Sequence, residues 1–249
     1  VSLSGGLDST ILLYKIVKEY GKDNVYALSF DYSQRHAIEL TQAKKSVKKL
    51  GVYHKVIDIG FLGDIVSGVS AMVKGNIPTP TMGDLEDQKD VSTYVPFRNM
   101  ILSSIVLSFA ESVGANKVAL GVQYGDYASK DEEGNSIYHY WDCSEDFTKS
   151  IQAVMDLNDK HSIEYLTPFV KLTKSDEIKL ALELGVPLED TWTCYAGNVD
   201  KVEQVGADTN THYQPCSTCP SCVGRMSAFE ENRIEDPVMR DGVWSFREH

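Results

Sequence analysis

Apolar residues recur along this chain at two alternating periods. Ile11, Leu12, Leu13, Ile16 and Val17 fall at helical spacing and Gly21 ends the run; Asn24 to Phe30, with its Val-Tyr-Ala-Leu-Ser-Phe, reads as a buried strand. A polar loop, Asp31 to His36, leads into a helix that reaches Leu50 and stops at Gly51, and Tyr53 to Ile59 is the next strand. Further on, the pattern predicts a strongly apolar helix over Asn99 to Val113, a strand over Lys117 to Gly121 and a helix over Glu145 to Leu157. A short strand over Ile163 to Leu166 follows. The last clear helix is Lys174 to Leu184, capped by Thr173 with Asp176 three residues on and stopped by Gly185 and Pro187.

Strands alternating with helices predict parallel pairing through helical crossovers, so the expected fold class is α/β: a doubly wound, mostly parallel, Rossmann-like sheet. Ligands of such sheets bind beyond the carboxyl ends of the strands. Two stretches interrupt the alternation. Gly68 to Tyr94, punctuated by glycine and proline and then acids, is expected to be a long excursion over the sheet, a lid or a dimer contact on one reading and a surface insert on the other. Val122 to Cys143 is a second long loop, rich in Tyr, Asp and Gly.

The chemistry concentrates at the start. Leu3-Ser4-Gly5-Gly6-Leu7-Asp8-Ser9-Thr10 runs from a few apolar residues through two glycines, hydroxyls and a carboxylate into the first helix. Such a turn aims backbone N–H groups and the positive end of a helix dipole at one spot, which suits a phosphate. Gly5 and Gly6 admit close backbone approach, Ser4, Ser9 and Thr10 add donors, and Asp8 is a candidate to hold Mg²⁺ on the same phosphates. The loop lacks the Gly-Lys-Ser/Thr ending of a Walker A motif. It resembles instead the PP-loop of the N-type ATP pyrophosphatases, which bind the pyrophosphate of ATP and transfer adenylate to a carboxylate or carbonyl oxygen. Only three residues precede the loop, fewer than a strand needs, so further residues are expected upstream.

The chain has 249 residues, enough for one large α/β core with a small appended module, expected at 1–190 and 191–249. No signal peptide or membrane-spanning run is present, which points to a cytoplasmic protein with no membrane partner. A net charge of −12 argues against general attraction for nucleic acid, and therefore against the alternative of a PP-loop tRNA-modifying enzyme. Cys216-Ser-Thr-Cys219-Pro-Ser-Cys222, with Cys194 upstream, gives four thiols from two loops. That set matches a closed, structural Zn²⁺ site, with a [4Fe–4S] cluster as the alternative. Cys143 is left over, in the polar loop where a pocket is expected.

Taken together these residues are similar to the 7-cyano-7-deazaguanine synthase family, ATP-dependent enzymes of queuosine and archaeosine biosynthesis. The resemblance covers most of the chain. It rests on residues 4–10, Ser-Phe-Asp-Tyr-Ser-Gln-Arg-His at 29–36, Val-Pro-Phe-Arg-Asn at 95–99, Gly-Ala-Asn-Lys-Val-Ala-Leu-Gly-Val at 114–122, Thr-Trp-Thr-Cys-Tyr at 191–195, the cysteine triplet, Arg225 and Asp236-Pro237. It implies an adenine nucleotide alpha hydrolase type of fold with a C-terminal zinc-binding module. It also implies a reaction in which ATP adenylates the carboxylate of 7-carboxy-7-deazaguanine, ammonia gives the amide, and a second ATP drives dehydration to the nitrile.

On that resemblance ATP lies against Leu3 to Thr10, Ser29 and Phe30, with Arg35 or His36 closing over it and Lys171 or Lys174 as a cationic phosphate partner. Arg98, with its planar fork, fixes a carboxylate or phosphate. The deazaguanine side is implied to involve Arg98, Asn99, Gly121, Asp126, Tyr127, Trp141, Asp142 and Cys143. The candidate catalytic set is Asp8, Ser9, Arg98, Lys171, Lys174 and Cys143. Two departures stand out. Asp126-Tyr127 is separated by an insertion from Trp141-Asp142-Cys143-Ser144, where the family usually has Arg in place of Ser144, and a longer acidic segment separates Cys194 from Cys216. They leave open a relative that stops at the amide or conjugates the activated acid to another amine, such as a protein N-terminus in a defence system. A homodimer is the expected assembly.

Overall fold

The computed structural model describes residues 1–34, 37–85, 92–123, 129–130, 136–137, 140–196, 198–205 and 208–239. Its helices are α1 (Leu7–Tyr20), α2 (Ala37–Leu50), α3 (Gly60–Val66), α4 (Met82–Leu85), α5 (Arg98–Val113), α6 (Glu145–Met155), α7 (Lys174–Leu184) and α8 (Pro220–Glu231). Its strands are β1 (Tyr26–Asp31), β2 (Tyr53–Asp58), β3 (Lys117–Ala119), β4 (Ser129–Lys130), β5 (Ser136–Ile137), β6 (Glu164–Leu166), β7 (Asn198–Val205) and β8 (Asp208–Gln214).

Parallel pairs join β1 to β2, from Tyr26↔Tyr53 to Asp31↔Asp58, and β3 to β6, from Lys117↔Glu164 to Ala119↔Leu166. The opening residues lie between these pairs. Leu28 N–H donates to the Val1 carbonyl at 2.9 Å, Leu3 N–H to the Leu28 carbonyl at 2.8 Å, and Ser2 N–H to the Ala119 carbonyl at 3.0 Å. The spatial order is therefore β2, β1, opening segment, β3, β6. Chain order runs outward in both directions from the opening segment, which makes its carboxyl end the topological switch point where open α/β sheets bind ligands.

Alternate strand residues feed two cores, as period-2 geometry demands. Ala27 and Ala119 face a cluster built from Leu12, Leu13 and Ile16 of α1, Ala43 and Val47 of α2, Ile178 and Ala181 of α7, and Phe229 of α8. Leu28, Phe30, Val118 and Leu120 face the other, with Leu62 and Val66 of α3 and Val106 and Ala110 of α5. Helices thus cover both faces, and the doubly wound reading holds. The α7 start is a reciprocal cap: Asp176 N–H donates to Thr173 Oγ1 at 3.1 Å while Thr173 N–H donates to Asp176 Oδ2 at 3.2 Å.

The excursion after α3 folds back over the sheet. Gln34 bridges Val73, Ala71 N–H reaches the Ser92 carbonyl at 2.7 Å, and Met82 N–H reaches the Thr218 carbonyl at 2.9 Å beside the cysteine triplet. In the second long loop, β4 and β5 form a short antiparallel pair. The acidic segment between Cys194 and Cys216 contains an antiparallel hairpin, with β7 and β8 paired from Asn198↔Gln214 to Val205↔Asp208. Valines and threonines spread through a polar segment support the strands. Among the described residues no helix is long and apolar enough to cross a membrane.

Candidate active site

The opening loop turns at Gly5, whose φ of 92° is left-handed and whose Cβ, if present, would lie 2.0 Å from the Glu39 carbonyl oxygen of α2. Only glycine fits there. Ser9 at the start of α1 collects the loop: its Oγ accepts from Ser4 N–H at 3.1 Å and Gly5 N–H at 3.3 Å and sits 2.9 Å from Ser4 Oγ, which accepts from Gly6 N–H at 3.1 Å. The loop N–H groups expected to stand free for a phosphate are therefore held on hydroxyls in this state. Gly121 closes the loop from the β3 side, where a Cβ would press at 3.2 Å on the backbone of Asp8 and Ser9.

A cavity of about 320 Å³ opens above the loop. That volume is in the range of small-molecule sites. Leu3, Ser4, Gly6, Leu7, Asp8, Ser9, Phe30, Arg98, Asn99, Gly121, Cys143 and Lys174 all line it, so most of the residues singled out from sequence converge. Lys174, at the first position of α7, reaches Asp8 Oδ1 at 2.5 Å and Glu177 Oε2 at 3.3 Å. Burial opposes the charge on Lys174, but Asp8 foremost, with the hydrogen bond to Glu177, outweighs it and holds the ammonium well above its ordinary range. Asp8 is also penalised by burial, yet the adjacent ammonium keeps its carboxyl below its ordinary value. Glu177 is fully buried with Oε1 lacking a hydrogen-bond partner, and burial, with Asp8 close by, pushes its carboxyl up to about 10.

Arg98 begins α5 and lines the same cavity. Burial opposes its charge, but Tyr32, Asp142 and Cys143 hold it firmly protonated. Asn99 N–H donates to Asp142 Oδ2 at 3.3 Å, and Asn99 Nδ2 donates to the Asp142 carbonyl at 3.2 Å and Cys143 Sγ at 3.3 Å, fixing the Trp141–Cys143 turn against α5. Burial, then the neighbouring Asp142, pushes the Cys143 thiol up to about 12. It is a neutral pocket wall here, not a thiolate. Trp141 lies outside the cavity lining, with its indole N–H on the Tyr94 hydroxyl at 2.8 Å and its ring 5.4 Å edge-on from Phe97. Asp142 also lies outside the lining, buried as a support for Asn99.

Besides Trp141 and Asp142, Gly5, Ser29, Thr10 and Lys171 also lie outside the cavity lining. Ser29 Oγ is buried on the Leu3 carbonyl at 2.6 Å and His54 at 2.8 Å, because it neighbours Phe30 on a strand and so points to the opposite side. Thr10 is fully buried beneath the loop, and its hydroxyl has no hydrogen-bond partner among the described residues. Lys171 is exposed in the turn before α7 and pairs with Glu145 at 2.8 Å. Of the two candidate lysines, Lys174 is the one at the site. Arg35, His36, Asp126 and Tyr127 lie outside the described residues. Ser144, the residue that departs from the family's arginine, caps α6 by accepting from Phe147 N–H at 3.1 Å.

Sequence reasoning missed Glu39, which lines the same cavity from the first turn of α2. Burial, with Asp8 also contributing and Arg98 opposing, pushes its carboxyl up to about 7. Its place next to a polar loop at the carboxyl edge of β1 was the available signal.

Beside the cavity, the sulfurs of Cys194, Cys216, Cys219 and Cys222 lie within 4.8 Å of one another. Cys216 N–H donates to Cys194 Sγ at 3.2 Å and Cys219 N–H to Cys216 Sγ at 3.3 Å. Backbone donors of this kind stabilise thiolates, and four thiolates around one point fit a tetrahedral metal ion whose sulfurs are roughly 3.8 Å apart at ordinary zinc–sulfur distances. The cluster adjoins the loop: Trp192 N–H, two residues before Cys194, donates to the Gly5 carbonyl at 3.1 Å.

The family model for the queuosine biosynthesis protein QueC matches residues 1–233. This chain belongs to the QueC family. Among curated relatives, the 7-cyano-7-deazaguanine synthase of Trichodesmium erythraeum is 37% identical over 248 residues, covering 96% of this chain and 98% of its own. The 7-cyano-7-deazaguanine synthase 1 of Colwellia psychrerythraea is 36% identical over 238 residues, covering 96% of each chain. Among solved structures, an ammonia-dependent NAD synthetase from Campylobacter jejuni is similar over 75% of this chain and 63% of its own, at 18% identity and a TM-score of 0.40. The residues that the QueC model matches thus include the loop, Arg98, Lys174 and all four cysteines.

Proposed function

We propose that this cavity carries out the reaction of the QueC family: ATP-dependent conversion of 7-carboxy-7-deazaguanine and ammonia, through the amide, to 7-cyano-7-deazaguanine. The chain is a QueC-type ATP-dependent ligase. The observation that carries its mechanism is the Lys174–Asp8 pair at 2.5 Å on the lip of a glycine loop set at the switch point of the sheet.

A carboxylate oxygen leaves poorly until it is made a phosphate ester, so the site must align the acid with the α-phosphate and neutralise charge as pyrophosphate departs. The Ser4–Thr10 loop and the α1 N-terminus would take the pyrophosphate end of ATP, with the Ser4 and Ser9 hydroxyls exchanging their internal bonds for phosphate oxygens. Lys174 supplies a fixed positive charge beside them. Asp8 lines the cavity with its side chain 31% exposed and its carboxyl ionised, so it suits a Mg²⁺ ion, which would supply further charge neutralisation on the phosphates. Arg98 lines the same cavity and offers its fork to the acid. The four-cysteine cluster would hold Zn²⁺ with no open position, a structural ion that fixes the loop bearing Trp192.

The test is direct. Incubating the protein with ATP, Mg²⁺, ammonia and 7-carboxy-7-deazaguanine is expected to give the nitrile by mass spectrometry with two AMP released per product. Absence of nitrile would overturn the reading, and accumulation of amide alone would place the chain among relatives that stop halfway.

A further inference from the structure

Nitrogen enters this reaction as ammonia and leaves as a nitrile carrying no hydrogen, so its protons have to go somewhere. When ammonia attacks the acyl adenylate, a carbon–nitrogen bond forms, the carbon–oxygen bond to AMP breaks, and one proton leaves nitrogen. Adenylation of the amide oxygen expels pyrophosphate and takes a second proton from nitrogen. Departure of the second AMP, with formation of the carbon–nitrogen triple bond, takes the third. No electron donor or acceptor is involved. A base beside the reacting carbon accelerates each of these steps.

The side chains on the cavity wall leave few choices. Asp8 is occupied by Lys174 at 2.5 Å, and Lys174 itself stays protonated. The Cys143 thiol sits at about 12, and burial raises the Tyr32 and Tyr140 phenols above their ordinary values. Among the described residues no histidine lines the cavity. Glu39 remains. Its carboxylate lines the cavity, and no hydrogen bond or ion pair engages it among the described residues. It is within electrostatic reach of both Arg98 and Asp8, which line the same cavity. Its backbone is fixed, because the Glu39 carbonyl packs under Gly5 with no room for a Cβ.

We propose that Glu39 is the catalytic base that removes protons from the substrate nitrogen, a role that rests on the reaction assigned above. Each proton passes from nitrogen to the Glu39 carboxylate and then to solvent, restoring the base for the next step. The charged and titratable groups that set its proton affinity are Asp8 of the opening loop, Arg98 of α5 and the Cys194 thiol of the cysteine loop.

The experiment compares wild type with Glu39→Gln in two assays: ATP–pyrophosphate exchange driven by 7-carboxy-7-deazaguanine, and formation of amide and nitrile from ammonia. Glutamine keeps the shape and removes the base. Exchange is expected to stay within a few-fold of wild type, while amide and nitrile formation fall by roughly a hundredfold or more. With the rate referred to the concentration of free NH3, wild-type kcat/KM should rise with pH through about 7, where Glu39 gives up its proton, and Glu39→Gln should lose that limb. Wild-type nitrile formation by Glu39→Gln overturns the proposal, and so does a parallel fall in exchange, which would make Glu39 part of nucleotide binding. Wild-type protein that neither exchanges pyrophosphate nor makes nitrile would instead remove the assigned reaction, and this base with it.

Discussion

Two buried ionic clusters, one carried by α8 and one by α7, are built differently. In the first, Arg225 of α8 is 1% exposed and donates from Nε to Asp236 Oδ2 at 2.6 Å, from Nη1 to Thr191 Oγ1 at 2.8 Å and Thr193 Oγ1 at 3.0 Å, and from Nη2 to Asp236 Oδ1 at 2.9 Å and the Leu188 carbonyl at 3.3 Å. A guanidinium has five N–H donors, and all five are used. In the second, among the described residues, the Lys174 ammonium uses two of its three donors, on Asp8 and Glu177, and Glu177 keeps an unpartnered oxygen. A satisfied cluster stabilises a fold, whereas an unsatisfied one beside a cavity keeps hydrogen-bonding capacity for a ligand. Charge and burial alone would not separate the two; counting donors does.

The comparison can be broken by mutation. The largest effect is expected for Arg225→Ala, which leaves Asp236 buried and unpaired and should cost about 3–5 kcal/mol in denaturant unfolding. A loss below about 1 kcal/mol would show that the clasp contributes little. Lys174→Ala should behave the other way round, with kcat/KM down by roughly a hundredfold or more and a stability loss of only about 1–2 kcal/mol. If it destabilised the protein as much as Arg225→Ala, the distinction between the clusters would fail. Glu177→Gln should change stability by no more than about 1 kcal/mol near neutral pH, since a carboxyl pushed up to about 10 is already neutral there and the amide copies its shape. A much larger loss would mean that Glu177 is ionised against Lys174. The smallest effect is expected for Cys143→Ser: with the thiol at about 12 and no thiolate to lose, turnover should stay within about threefold, and complete inactivation would restore the cysteine to a covalent role.

Much of this was legible from the chain. The turn of the opening loop, the helix that Thr173 and Asp176 cap and the gathering of the four cysteines follow from local rules, whereas the loop N–H groups turn inward onto hydroxyls. What was not legible is which way neighbours face. β1 is buried on both faces, so no alternation distinguishes Phe30, which reaches the cavity, from Ser29, which does not. Ser9 and Thr10 differ by one helical step, yet one organises the loop and the other is buried beneath it. Lys171 and Lys174 look equivalent in sequence until the turn before α7 sends the first to solvent. Glu39 read as a first-turn acid of an amphipathic helix, and only the approach of α2 to Gly5 brings it to the chemistry. The hairpin of β7 and β8 was hidden because its polar composition outweighed its strand-forming residues.

The bond from Trp192 N–H to the Gly5 carbonyl has a practical corollary. On the proposed function, a chelator that empties the cysteine cluster would blunt the grip on ATP without entering its site, so metal loss should raise the apparent KM for nucleotide. Nucleotide, in return, should slow release of the ion, since two grips that share one strut cannot loosen independently.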